Sequence, residues 1–127
     1  MTELRERTVG PLDRVAFVRW VGALDDVDSP VHYDRVAARE QGHPDVLAPG
    51  MLAAAMLADH ATATHGAARL RACRWRFVGA IWPDDVLTLR GRETAREGDR
   101  VSLELECVRG DGEVAVRCWM TFATTEG

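Results

Sequence analysis

Hydrophobic and polar positions change their spacing about halfway along the chain. In residues 13–23, DRVAFVRWVGA, Val15, Val18 and Val21 fall along one side at helical spacing, and Asp13, shortly after Pro11, can cap the start. The polar stretch GALDDVDSPVHYDR (22–35) interrupts that pattern. Asp34 can then cap a second short helix, RVAAREQ, which Gly42 ends before His43–Pro44. A third helix is expected in APGMLAAAMLADHATATHG, with Pro49 in its first turn and Gly66 as its stop. Every residue from Met51 to Ala58 is apolar, so this half of the helix is expected to be buried all round.

After Gly66 the period becomes two. RLRACRWRFVGAIW (69–82) reads as a strand, WPDD as a turn, and VLTLRGRETAR (86–96) as a second strand ending near Gly98–Asp99. In VSLELECV (101–108) and VAVRCWMTFA (114–123), alternate residues are apolar, with GDGE between them as a hairpin signal. A two-residue Asp111–Gly112 loop would set Leu105 opposite Cys118 and Cys107 opposite Val116, leaving the two cysteines diagonal. One long buried helix followed by consecutive antiparallel strands is an α+β arrangement with the sheet wrapped on the helix. Residues 1–127 are expected to form a single domain with this hot-dog outline. An open sheet of this kind has edges, so a dimer is expected by analogy.

Composition narrows the function. Apolar residues make up 46% and charged residues 28%, which suits a soluble globular protein rather than a disordered chain. Every basic residue is arginine. The net charge of −4 argues against nucleic acid or an anionic membrane as a bulk partner. No apolar signal core follows Met1, and VLAPGMLAAAMLA is too short and interrupted to span a bilayer. Cys73, Cys107 and Cys118 form no C-x-x-C, and Cys107 and Cys118 fall on apolar faces. Buried free thiols and a cytoplasmic location are therefore expected.

Two elements carry candidate chemistry. His32 follows Asp26 and Asp28 closely, and Pro30 limits the conformations of the chain between them. A carboxylate that orients an imidazole or shares a water with it is a recurrent acid–base device. Asp25 reads as solvated and Asp34 as a cap, so the carboxylate is Asp26 or Asp28. The second element is the start of the buried helix, where the N–H of Gly50 could hold developing negative charge in a dry site. His43 reads as solvated. His60 and His65 stand about 140° apart around a helix, which disfavours a shared metal. Arg69, Arg71, Arg74 and Arg76 could meet a phosphate but read first as the wet side of a strand. Trp20, Trp75, Trp82 and Trp119 read as core or dimer interface.

With these residues in view, the chain resembles the MaoC-like dehydratases and (R)-specific enoyl-CoA hydratases across most of residues 8–122. SPVHYD matches the P-x-H-x-D part of their motif, APGML their helix start, and WPDDVLTL their later turn. Asp26 is obtained by aligning GALDD, with one extra residue before Pro30; Ser29 stands where Asn is usual and Pro49 where His is usual. The resemblance implies hydration of 2-enoyl thioesters or dehydration of 3-hydroxyacyl thioesters on CoA or a carrier protein. In it Asp26, His32 and Gly50 are catalytic, Asp28, Ser29, Pro49 and Met51 contact substrate, and no metal or redox cofactor is needed. The partner is a second hot-dog subunit, identical or different. The alternatives are a non-catalytic or partner-dependent acyl-binding subunit, a redirected biosynthetic lyase or cyclase, or a thioesterase using Asp59.

Overall fold

A computed structural model describes residues 2–125. Five antiparallel strands form one sheet in the order β1-β3-β4-β5-β2. They are β1 (Arg7–Val9), β2 (Leu70–Phe77), β3 (Leu87–Glu97), β4 (Arg100–Val108) and β5 (Val114–Ala123). The helices are α1 (Arg14–Ala23), α2 (Arg35–Glu40) and α3 (Gly50–His65). Helix α3 packs on β2, β3, β4 and β5, so the α+β hot-dog arrangement expected from the residue pattern is the one observed.

Complementary side-chain sizes hold helix and sheet together. Toward the sheet α3 turns Ala53, Ala54, Leu57 and Ala61, all buried. Alanines let the backbone of the helix come close, and the sheet fills the remaining space with larger groups: Leu89, Leu103, Leu105, Met120 and Phe122. Across the sheet, Leu105 pairs with Cys118 and Cys107 with Val116, as the alternation requires. The hairpin reaches that register differently from the two-residue loop expected. Val108 pairs with Val114 after a register shift, and the Arg109 N–H donates to the Glu113 carbonyl at 2.8 Å, leaving Gly110–Gly112 as a three-residue tip.

Three other expectations are corrected. Helix α1 buries Phe17 and Val21, whereas Val15 and Val18 are exposed; an aromatic ring offers more apolar area than a valine, and the helix is turned to bury it. The dry half of α3 is not enclosed, because Met51 is 48% exposed and Leu52, Ala55 and Met56 are half-buried. Strand β2 stops at Phe77, since Val78 and Gly79 both donate to the Ala115 carbonyl and the chain leaves the ladder there. The short edge strand β1 has no alternation long enough to announce it.

Other local readings hold. Asp13 accepts from the Val15 N–H at 2.7 Å, and Asp34 accepts from the N–H groups of Val36 and Ala37. Gly42 and Gly66 have φ of +88° and +87°, the left-handed region where glycine carries no side-chain penalty. Cys107 and Cys118 are buried free thiols, pushed up by burial to about 11 and about 12, and Cys73 is exposed. The four tryptophans are all half-buried: Trp75 packs against the core as expected, whereas Trp119 lies on the outer face beneath Arg74, 4.6 Å from ring centre to guanidinium, and not in the core.

The outer face of the sheet is a ladder of charges. Arg90 and Arg117 both pair with Glu106, the former at 2.8 Å, and Arg92 lies 3.7 Å from Glu104. Burial alone would raise Glu106, but the two guanidinium groups outweigh it and hold the carboxyl below its ordinary range. Truncating the helix–sheet contact should cost far more than truncating a surface valine. Leu57→Ala is expected to lose about 2–5 kcal/mol of unfolding free energy in urea titrations. Val36→Ala, on the exposed side of α2, should stay within about 0.5 kcal/mol of the parent.

Candidate functional site

The segment that carries His32 is tied down by its own backbone. After α1, the Asp26 N–H donates to the Val21 carbonyl at 2.9 Å and closes the helix end. Pro30–His32 forms a single 3-10 turn, with the Tyr33 and Asp34 N–H groups donating to the Pro30 carbonyl. Tyr33 donates its hydroxyl to the Val27 carbonyl, and Arg14 donates to the Tyr33 carbonyl at 3.2 Å. The segment before α3 then runs alongside. The Leu47 N–H donates to the Val31 carbonyl at 3.2 Å, and the Ala48 N–H donates to the Ile81 carbonyl at 2.8 Å.

Leu47 also fixes the imidazole. His32 Nδ1 lies 2.8 Å from the Leu47 carbonyl oxygen. A carbonyl can only accept, so in the neutral ring Nδ1 carries the proton and Nε2 is left as the basic nitrogen. No described residue bonds Nε2. Helix α3 begins beside this ring. Pro49 precedes it without a side-chain cap, and the N–H groups of Gly50 and Met51 donate to no acceptor among the described residues.

These parts meet in one cavity of about 510 Å³, lined by His32, Leu47, Ala48, Gly50, Met51, Phe77, Val78, Gly79, Ala80, Ile81 and Val116. Among the described residues, His32 is the one ionisable side chain on that wall. The wall is otherwise apolar, so a polar ligand atom entering it finds few partners beyond the imidazole and the free N–H groups. An imidazole poised as base or acid, facing donors suited to a developing oxyanion, can move a proton next to a polarised carbonyl.

The sequence-derived candidates divide into two groups. His32, Gly50 and Met51 line the cavity together. Asp26, Asp28, Ser29 and Pro49 do not. Asp26 and Asp28 are exposed, and Asp26 accepts a hydrogen bond from the Ser29 hydroxyl at 3.2 Å. Pro49 is buried as the residue that aims the chain into α3. The carbonyl of Leu47, rather than a carboxylate, holds the imidazole; a backbone acceptor has no signature in a residue string. Phe77 and Val78 were also missed as lining residues. Their signal is the break of alternation before Gly79, where apolar side chains remain 52% and 53% exposed.

Elsewhere, a second cavity of about 350 Å³ lies against the outer face among Glu3, Glu6, Arg90, Arg92, Glu104 and Glu106. Four of those charges are already paired with one another. Asp59 is exposed and paired with Arg7 at 3.0 Å. His60 is buried, His65 stacks on Phe122, and no group of residues suited to a metal occurs among the described residues. No helix of the described chain is long and apolar enough to cross a membrane.

Comparison with known proteins places this geometry in context. The family model described as FAS1-like, dehydratase domain region, matches residues 6–108. No curated protein matches at the level of sequence. Among solved structures, the ChsH1–ChsH2 complex from Mycobacterium tuberculosis has a similar chain, with a TM-score of 0.87, 19% identity, and coverage of 98% of this chain and 96% of that one. The (R)-hydratase PhaJ1 from Pseudomonas aeruginosa superposes with a TM-score of 0.84 and 20% identity, over 99% of this chain and 81% of its own. The (R)-hydratase of A. caviae involved in PHA biosynthesis gives 0.83 and 17%, over 98% of both. At such identities these likenesses establish the fold.

The imidazole geometry has a direct spectroscopic consequence. In the neutral ring of His32 the ¹⁵N shifts should be pyrrole-like at Nδ1 and pyridine-like at Nε2. The reverse pattern would mean that the Leu47 contact does not set the tautomer.

Proposed function

The chain belongs to the FAS1-like dehydratase region family, and from that membership we propose that it hydrates 2-enoyl thioesters and, in reverse, dehydrates 3-hydroxyacyl thioesters. The observation that carries this reading is the shared cavity of His32 and the uncapped start of α3. In the hydration direction, His32 Nε2 takes a proton from water while the water oxygen bonds to C3. The C2–C3 π pair moves toward the thioester oxygen, whose charge meets the Gly50 N–H. The imidazolium then returns its proton to C2, so that one water has been added and the ring is neutral again. The Leu47 carbonyl keeps the ring oriented through the cycle.

Asp26 is the carboxylate we assign to this site, with Asp28 its rival. Asp26 accepts from the Ser29 hydroxyl in the turn that leads into His32, and its assigned role is to activate or orient the reacting water. Met51 contacts the acyl group from the wall, and Pro49 sets the direction of the Gly50 N–H. Asp28 and Ser29 contact the thiol-ester handle, which is CoA or the pantetheine arm of a carrier protein. We assign the protein to the cytoplasm, where the free thiols of Cys107 and Cys118 remain reduced.

The assembly we propose is a dimer of hot-dog subunits. Strand β2 is a free sheet edge of eight residues, against three in β1, and it ends beside the cavity at exposed Phe77 and Val78. A second reading follows from the exposed positions of Asp26 and Asp28, which leave the cavity without a carboxylate. In it, this chain is one half of a heterodimer and turns over only with a different hot-dog subunit.

Kinetics on 2-butenoyl-CoA separate these readings. His32→Ala should lower kcat/KM by about 100-fold or more, the loss expected for a general acid–base group, while circular dichroism and urea midpoint stay near the parent. Asp26→Asn should fall by more than Asp28→Asn. Parent-like rates in both His32→Ala and Asp26→Asn would remove the assignment. A purified chain that is inactive until a second hot-dog subunit is added would favour the heterodimer.

A further inference from the structure

Phe77 is the last residue of β2 and pairs with Val116, whose side chain is buried on the helix-facing side of the sheet. Its ring lies directly on Gly50. A Cβ built on Gly50 would stand 2.9 Å from Phe77 Cδ1 and 3.0 Å from Cε1, closer than side chains pack. The absent side chain of Gly50 thus makes room for an aromatic ring as well as for a ligand. That ring stands over the first turn of α3, on the wall shared with His32. Swinging the ring outward would expose more of a side chain that is already 52% exposed and would forfeit its packing on the helix.

We infer that Phe77 makes the cavity selective for straight-chain acyl thioesters over those branched at C2. The inference rests on the thioester reading given above and adds its substrate class. With its carbonyl oxygen on the Gly50 N–H, the acyl group enters the cavity that Phe77 also lines, and C2 is one bond beyond the carbonyl carbon. A methyl group at C2 adds width to the acyl group next to the helix start that the Phe77 ring covers. No polar group on Phe77 takes part, so the effect is one of shape, and a single methylene-sized misfit in a pocket is worth about ten-fold or more in discrimination.

The test is calorimetric titration of butanoyl-CoA and 2-methylbutanoyl-CoA, neither of which carries the double bond needed for turnover. Their common CoA portion cancels in the ratio of the two dissociation constants, as does any inactive fraction of protein. The parent should bind the straight chain about ten-fold or more tightly than the branched one. In Phe77→Ala the ratio should fall toward one, with Phe77→Leu in between and able to decide the matter if the alanine variant does not fold. A parent ratio near one, or the parent ratio retained in the variants, would overturn the inference. Failure of both thioesters to bind would overturn it together with the thioester reading. A ratio that responds to Phe77 in a protein that never hydrates 2-butenoyl-CoA would uphold the inference and remove only the hydratase reading.

Discussion

Close packing of an alanine-rich helix in the hollow of the sheet is the constraint on which the rest of the structure depends. Ala53, Ala54 and Ala61 permit the approach, and Leu57 on the helix with Leu105, Met120 and Phe122 on the strands supply the apolar area that drives it. This packing fixes the axis of α3 and therefore the place where the helix begins. Because Pro49 is buried and offers no cap, the first N–H groups emerge at the boundary of the core. The site is thus a by-product of core packing at one end of a helix. The outer face, with its Arg90–Glu106–Arg117 ladder, keeps the other side of the same strands in water.

Around that helix start the chain places one imidazole and little other polarity. A histidine held by a backbone carbonyl has a fixed orientation and, in its neutral form, a fixed tautomer, because the carbonyl can only accept. The neutral ring can then serve as base to water, and the imidazolium so formed as acid to carbon. An apolar wall strengthens both the imidazole's electrostatic influence and that of the free N–H groups, since fewer solvent dipoles screen them. Of the nearby acidic residues, Asp34 caps α2 and Asp45 is held low by Arg35, whereas Asp26, whose side chain accepts only from the Ser29 hydroxyl among the described residues, is the carboxylate of the proposed reaction.

Much of this was legible in the residue string, and what was not has physical reasons. Long signals carry furthest: α3 follows from an apolar run bounded by Pro49 and Gly66, and the four long strands from alternation, while the Leu105–Cys118 and Cys107–Val116 register is reached through a hairpin tip one residue longer than expected. The Asp13 and Asp34 caps are legible too, since each needs one side chain and a neighbouring N–H. The face of α1 was misread because three valines at regular spacing outnumber one phenylalanine, while burial follows area. At the site, His32, Gly50 and Met51 were found by residue type and motif order. Leu47 was not, because its contribution is a carbonyl that every residue has. Phe77 lies in a strand that the alternation extends to Trp82, and its pairing with Val116 on the helix-facing side sets it against the helix start.

The central claim is that His32 and the first N–H groups of α3 act on the same carbonyl-bearing ligand. The most direct measurement is a crystal structure of the protein with butanoyl-CoA bound. The account predicts the thioester oxygen within hydrogen-bond distance of the Gly50 nitrogen and the third acyl carbon facing His32 Nε2, with the chain running along Phe77. A thioester bound on another surface, or one whose oxygen turns away from Gly50 while the acyl chain avoids His32, would contradict it.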